Sequence, residues 1–120
     1  MAKNPVTHFE VVGKDGKKLQ EFFSGLFGWK VDANNPMNYG MTDASETGIG
    51  GGISAGQDGG AGHVTFYVEV DDLPAYLKKA EGLGGQTVMP PMAVPGGPEI
   101  AMLADPEGHV IGLLKAGSMQ

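Results

Sequence analysis

The sequence has no cysteine, no long apolar run and no cluster of basic residues. Without cysteine there is no disulfide or thiolate, so a metal site would need histidine and carboxylate ligands. No apolar run approaches the ~20 residues of a membrane span, and the first residues show no signal-peptide pattern. Eight basic and fourteen acidic residues give a net charge of −6, whereas nucleic-acid binding needs a basic surface. We therefore expect a cytoplasmic protein that binds neither nucleic acid nor membrane.

The length and an internal repeat together predict one domain of two modules. The 120 residues are enough for a single hydrophobic core. Shifting the sequence by 57 residues brings Asp15 onto Asp72 and Gly28 onto Gly85. Because these residues mark helix starts and ends, their coincidence indicates that one unit occurs twice. The modules are predicted at about residues 5–57 and 62–116.

Each module is predicted as βαβββ, which makes the fold class α+β. In the first half, apolar and polar residues alternate over Val6–Val12, which predicts a strand. Apolar residues then recur at helical spacing up to Gly28, which predicts a helix that ends there, and Trp29–Val31 is predicted to begin a second strand. Short strands around Asn38–Thr42 and Gly50–Ala55 complete the first half. In the second half, Asp72 caps a helix with Pro74 in its first turn. The strands of the second half are predicted at Val64–Val70, Gln86–Met89, Ile100–Ala104 and Val110–Lys115.

Strand parity divides the first strand of each module into two faces. The helices need an apolar face, which is predicted to consist of Phe9, Val11, Val64, Phe66, Val68 and Val70. The opposite face is then polar and consists of His8, Glu10, His63, Thr65, Tyr67 and Glu69. Because polar groups do not form a core, we expect these six residues to line a ligand pocket. Tyr39, Met41, Met89, Met92 and Met102 could line the cavity or belong to the core.

Three stretches resemble the vicinal oxygen chelate superfamily of glyoxalases, bleomycin-resistance proteins and extradiol dioxygenases. They are HFEVVGKDGKKLQEFFSGLFGW from His8, FYVEVDDLPAYLKKAEGLGG from Phe66 and ADPEGHVIGLL from Ala104. The resemblance covers about residues 5–116. It implies cup-shaped mixed sheets with helices on the convex face, and a homodimer. It says little about activity, because one fold can carry several chemistries.

The resemblance also implies where a metal would bind. Metal-dependent members take one ligand from each of four strands, at positions that carry over to His8, Thr65, Gly112 and, by the 57-residue offset, Ala55. Only His8 can ligate an ion, whereas catalytic sites use about three protein ligands. We therefore expect no cofactor and no metal at this centre. A shifted site for a divalent metal could draw on His8, His63 and either Glu10 or Glu69.

Three functions stay open at this point. The missing ligands favour a small-molecule binding protein whose usual metal site is lost. A metal-dependent lyase, isomerase or dioxygenase would require the shifted site, and a structural partner module would require only the fold. Glu107 and His109, beside the Asp105–Gly108 turn, could form an acid–base pair or simply be solvated.

Overall fold

The computed structural model describes residues 4–56 and 62–118 and has the α+β composition that the sequence predicts. Those two ranges contain seven strands and three helices, and none of these helices is long and apolar enough to cross a membrane. The chain divides into two compact units. Residues 7–65 form the N-terminal unit, and residues 66–118 with residues 4–6 form the C-terminal unit. The predicted seam near residues 57–62 lies almost wholly outside the described residues.

The N-terminal unit is a three-stranded sheet with one long and one short helix. Its elements are β1 (Val6–Gly13), α1 (Gly16–Phe27), β2 (Gly40–Thr42), α2 (Ala44–Thr47) and β3 (Gly50–Ala55). β3 lies between β1, which is parallel to it, and β2, which is antiparallel. The Asp15 carboxylate accepts a hydrogen bond from the N–H of Lys18 at 3.0 Å and so caps α1, which ends at Gly28 as predicted.

The predicted strand at Trp29–Val31 is wrong. In this region a single bridge joins Asp32 to Met41, with N–H···O distances of 2.9 and 2.8 Å. The Trp29 ring instead stacks on Phe23 and packs on Phe27, with ring centroids 6.1 and 4.9 Å apart. Aromatic packing, and not a β-ladder, therefore holds the chain after α1.

The C-terminal unit has the βαβββ order that the sequence predicts. Its elements are β4 (His63–Val70), which begins in the N-terminal unit, α3 (Leu73–Gly82), β5 (Gln86–Ala93), β6 (Glu99–Ala104) and β7 (Val110–Lys115). The sheet order is β4-β7-β6-β5, with β4 parallel to β7 and β6 antiparallel to both its neighbours. β5 continues four residues beyond its predicted end at Met89.

The core of the C-terminal unit forms where α3 packs on the sheet. Asp72 caps α3 by accepting a hydrogen bond from the N–H of Ala75 at 3.0 Å. Leu73 and Leu77 are four residues apart and therefore project from one helix face. The buried core cluster consists of Val70, Leu73, Leu77, Ala101 and Leu113.

The predicted apolar face of β4 is covered only in part. Val70 belongs to the α3 core, and Val68 packs against it. Val64 and Phe66, near the start of the strand, are 79% and 41% exposed. The expectation that all these residues lie beneath a helix is therefore wrong for Val64 and Phe66, because the α3 core involves only the end of β4.

The strand pairings do not confirm a single 57-residue repeat. On the closing strand of each unit, Gly52 pairs with Glu10 and Gly112 pairs with Tyr67. Glu10 and Tyr67 differ by 57 positions, but Gly52 and Gly112 differ by 60. The counterpart of Gly112 is therefore Gly52 and not Ala55, which pairs with Gly13. The halves differ in length between their first and last strands, so one offset cannot align both.

Candidate functional site

Four polar side chains of the N-terminal unit form a hydrogen-bonded chain, called here the His8–His63 chain. Nε2 of His8 lies 2.8 Å from Oη of Tyr39, which donates to Oε2 of Glu10 at 2.8 Å. Oε1 of Glu10 lies 2.9 Å from Nε2 of His63. His8 and Glu10 are two residues apart on β1 and so share a face, and His63 begins β4. The structure thus brings together three of the six predicted pocket residues.

The fourth member, Tyr39, was not singled out as a polar site residue by the sequence. It lies in the segment before β2, 29 positions from Glu10 in the chain. Strand parity relates residues within one strand, so it cannot indicate which loop residue reaches that strand. The only sequence signal was the general one that an aromatic residue in this segment could line a cavity.

Burial sets the protonation of His8. Desolvation lowers the pKa of His8 below its ordinary value of 6.5, and the Glu10 carboxylate partly opposes this shift by favouring the imidazolium. Because desolvation is the larger effect, His8 is neutral near pH 7. A neutral imidazole has one N–H donor and one acceptor nitrogen.

The other three predicted pocket residues differ in their surroundings. Thr65 is buried near the start of β4. Tyr67 belongs to the C-terminal unit and is only 5% exposed, beside Gly112 on β7. Glu69 pairs with Leu114, and its backbone N–H donates to the carbonyl of Pro5 at 2.9 Å.

The side chains at the family's metal positions do not form a donor set. With Gly52 in place of Ala55, the four positions hold one imidazole, one hydroxyl and two glycines: His8, Thr65, Gly52 and Gly112. Among residues 4–56 and 62–118 no group of three His, Asp or Glu residues is placed to hold a metal ion. The residues present therefore do not fit the divalent ion of the metal-dependent members.

A pocket of about 320 Å³ lies beside the His8–His63 chain within the N-terminal unit. It is lined by Glu10, Val12, Met37, Tyr39, Ser54, Ala55 and Gly56. The lining combines a carboxylate, a phenol and the Ser54 side chain with mostly apolar surface. Small-molecule sites commonly have this composition, because apolar walls supply burial and a few polar groups fix orientation.

His109 stabilises a turn and does not pair with Glu107. Its Nδ1 lies 2.9 Å from Oδ2 of Asp105, and its backbone N–H donates to Oδ1 of Asp105 at 2.9 Å. The backbone hydrogen bond from His109 is the main cause of a pKa of Asp105 below its ordinary value. The structure therefore favours the plain interpretation of this pair, as a solvated turn.

The chain belongs to the glyoxalase-like domain family, whose sequence model matches residues 10–114. This family lies within the vicinal oxygen chelate superfamily that the sequence resembles. Over 83 residues the chain is 32% identical to the Mycobacterium tuberculosis protein CFP32, which is provisionally named a glyoxylase. That match covers 69% of this chain and 32% of CFP32, so the chain spans about a third of this curated relative.

Solved structures share the fold at low sequence identity. A Vibrio splendidus member of the glyoxalase/bleomycin resistance protein/dioxygenase superfamily has a TM-score of 0.63 and 15% identity, covering 92% of this chain and 97% of its own. A variant of Streptomyces coelicolor methylmalonyl-CoA epimerase in complex with 2-nitronate-propionyl-CoA has a TM-score of 0.60 and 14% identity, covering 99% of both chains. At such identities the similarity shows the fold alone.

Proposed function

We propose that this protein binds a small organic molecule in the pocket beside the His8–His63 chain, without a divalent metal ion. The observation that carries this proposal is the pocket of about 320 Å³ that joins apolar walls to the Glu10 carboxylate and the Tyr39 phenol. The acyl-CoA analogue in the related epimerase supports the capacity of this fold to hold a small molecule. A single domain of two modules, a cytoplasmic location and a homodimer remain part of the proposal.

The chemistry of the pocket favours a particular kind of ligand. Glu10 places a carboxylate in the lining, the described lining has no basic residue, and the whole chain contains no arginine. Arginine is the side chain best suited to bidentate recognition of carboxylate or phosphate. We therefore propose a neutral or cationic ligand with an apolar body that fits against Val12 and Met37.

The test is a thermal-shift screen with matched aromatic amines, alcohols and carboxylates, followed by affinity measurements on the compounds that bind. His8 does not itself line the pocket, but its Nε2 lies 2.8 Å from the hydroxyl of Tyr39, which does. His8→Ala removes this half-buried hydrogen bond and should therefore weaken binding by about tenfold, because leaving a polar group without its partner costs roughly 1–3 kcal/mol. His109→Ala is the matched control and should bind as the wild type does, since His109 only stabilises a turn. Equal affinity in His8→Ala and the wild type would contradict the proposal.

The alternative is a metal-dependent lyase, isomerase or dioxygenase at the shifted site. The two imidazoles and the carboxylate that it needs lie in one hydrogen-bonded chain, but the Tyr39 hydroxyl stands between His8 and Glu10, so a ligand set would require these side chains to move. Elemental analysis of the purified protein separates the two functions. We expect no stoichiometric metal. About one equivalent of nickel, zinc, manganese or iron that His8→Ala removes would establish the metalloenzyme instead.

A further inference from the structure

The hydrogen bonds of Tyr39 determine which nitrogen of His8 carries the proton. The Tyr39 hydroxyl donates its proton to Oε2 of Glu10 at 2.8 Å. A phenol has one O–H proton, so toward His8 the same oxygen can only accept. His8 must then donate from Nε2 across the 2.8 Å contact. Because burial keeps His8 neutral, its lone pair is on Nδ1.

The position of the Tyr39 hydroxyl depends on a glycine in β3. A Cβ built on Gly52 would overlap Oη, Cζ and Cε2 of Tyr39. Gly52 pairs with Glu10 in the sheet, so the space that a side chain would occupy beside Glu10 holds the phenol instead. Any larger residue at position 52 would displace the hydroxyl from both of its partners.

The backbone of Tyr39 is held independently of its side chain. The Asn35 amide accepts from the Tyr39 N–H at 2.8 Å and donates to the Tyr39 carbonyl at 2.7 Å. The Gln20 amide donates to the carbonyls of Asn38 and Ile53 at 3.0 and 2.7 Å, which ties this segment to β3. These four bonds fix the segment that carries the phenol.

We propose that Tyr39 is a positioning residue that holds His8 as its Nε2–H tautomer. In this tautomer Nδ1 is the basic nitrogen of His8, and Nε2 cannot ligate an ion until it loses its proton. This assignment adds detail to the proposed function, and the role of the tautomer in ligand binding rests on that function. The tautomer itself is a property of the ligand-free protein and can be tested without any ligand.

The test is long-range ¹H–¹⁵N correlation NMR of the full chain, ¹⁵N-labelled on histidine, at pH 7.5. The three histidine rings are assigned from His8→Gln and His109→Gln spectra. We expect a pyrrole-type Nε2 and a pyridine-type Nδ1 for His8 in the wild type. A protonated Nδ1 in the wild type would overturn the proposal without recourse to any variant.

Tyr39→Phe tests the cause of the tautomer. Without the hydroxyl, Nε2–H loses its acceptor, so the two His8 nitrogen shifts should move toward each other as the second tautomer becomes populated. Tyr76→Phe is the matched control, because the Tyr76 hydroxyl bonds Asn4 in the C-terminal unit, and its His8 spectrum should equal that of the wild type. An unchanged His8 spectrum in Tyr39→Phe would refute the positioning role. Should Tyr39→Phe fold poorly, Gly52→Ala displaces the same hydroxyl and must give the same change.

Loss of compound binding and loss of the tautomer are separate outcomes. If no compound binds but His8 is the Nε2–H form in the wild type and a mixture in Tyr39→Phe, the proposed function fails and the positioning role stands. If compounds bind and need His8 while the tautomer is Nδ1–H, the positioning role fails and the binding function stands.

Discussion

Gly112→Ala should destabilise the protein, because the ring of Tyr67 occupies the space of the missing side chain. A Cβ built on Gly112 lies 2.7 Å from Cγ of Tyr67 and closer still to Cδ2 and Cε2. Ordinary carbon–carbon contact is about 3.5–4.0 Å, so the ring must retreat by roughly 1 Å. Tyr67 is only 5% exposed, and Cγ is fixed close to the backbone, so the ring cannot turn aside freely.

The expected loss is about 1–2 kcal/mol. Overpacking a core costs roughly 1–3 kcal/mol, and replacing glycine returns up to about 1 kcal/mol through the unfolded chain. For a domain of this size the melting temperature should fall by roughly 5–10 °C, measured by circular dichroism. Gly25→Ala is the control, since a Cβ there meets nothing within 4 Å in α1, and it should be neutral or stabilising by up to about 1 kcal/mol. A Gly112→Ala protein that melts at or above the wild-type temperature would refute this packing.

Three further predictions concern the core, a helix cap and pH. Leu77→Ala should lower the free energy of unfolding by about 2–5 kcal/mol, measured by chemical denaturation. Leu83→Ala is the control and should lower it little, because the Leu83 side chain is 71% exposed. Equal losses would contradict the α3 core. Asp72→Ala should lower the free energy of unfolding by about 0.5–2 kcal/mol, whereas Asp71→Ala, at an exposed neighbouring position, should change it very little. Equal losses in the two variants would contradict the α3 cap. The pKa of folded His8 lies below 6.5, so the contribution of His8 to stability is lost as pH falls below that value. The melting temperature of His8→Gln should therefore fall less than that of the wild type between pH 7.5 and 5.5. An equal fall would argue against a desolvated neutral imidazole.

The second half of the chain could be predicted closely because local rules determine its elements. Asp72 accepts from an N–H of the first turn of α3, as an aspartate before a helix commonly does. The Asp105–Gly108 turn closes with a backbone hydrogen bond of 2.9 Å from the N–H of Gly108 to the carbonyl of Asp105. Each of these features depends on residues within four positions of one another, so the sequence pattern contains the cause.

The failures involve side-chain packing and strand register, which no pattern within a single element contains. Trp29 lies where β-propensity predicts a strand, but its ring packs on Phe27 and Phe23, and tertiary packing overrides propensity. The constant offset predicts Ala55 as the first-half counterpart of Gly112, whereas the strand register gives Gly52, which pairs with Glu10. Similarly, Tyr39 reaches Glu10 from another segment, and no periodicity within one strand can indicate that contact.

The two glycines on the closing strands explain why a metal ligand cannot simply be restored at their positions. Gly112 lies beside Tyr67 and Gly52 beside Tyr39, and in each case a Cβ would collide with the tyrosine. The space in which family resemblance places a metal ligand is therefore occupied by an aromatic ring. A Gly112→Glu change would have to expel the buried Tyr67 ring before its carboxylate could reach any ion. Because the tyrosine ring fills this space, introducing a metal ligand there requires substitution of the tyrosine as well as the glycine.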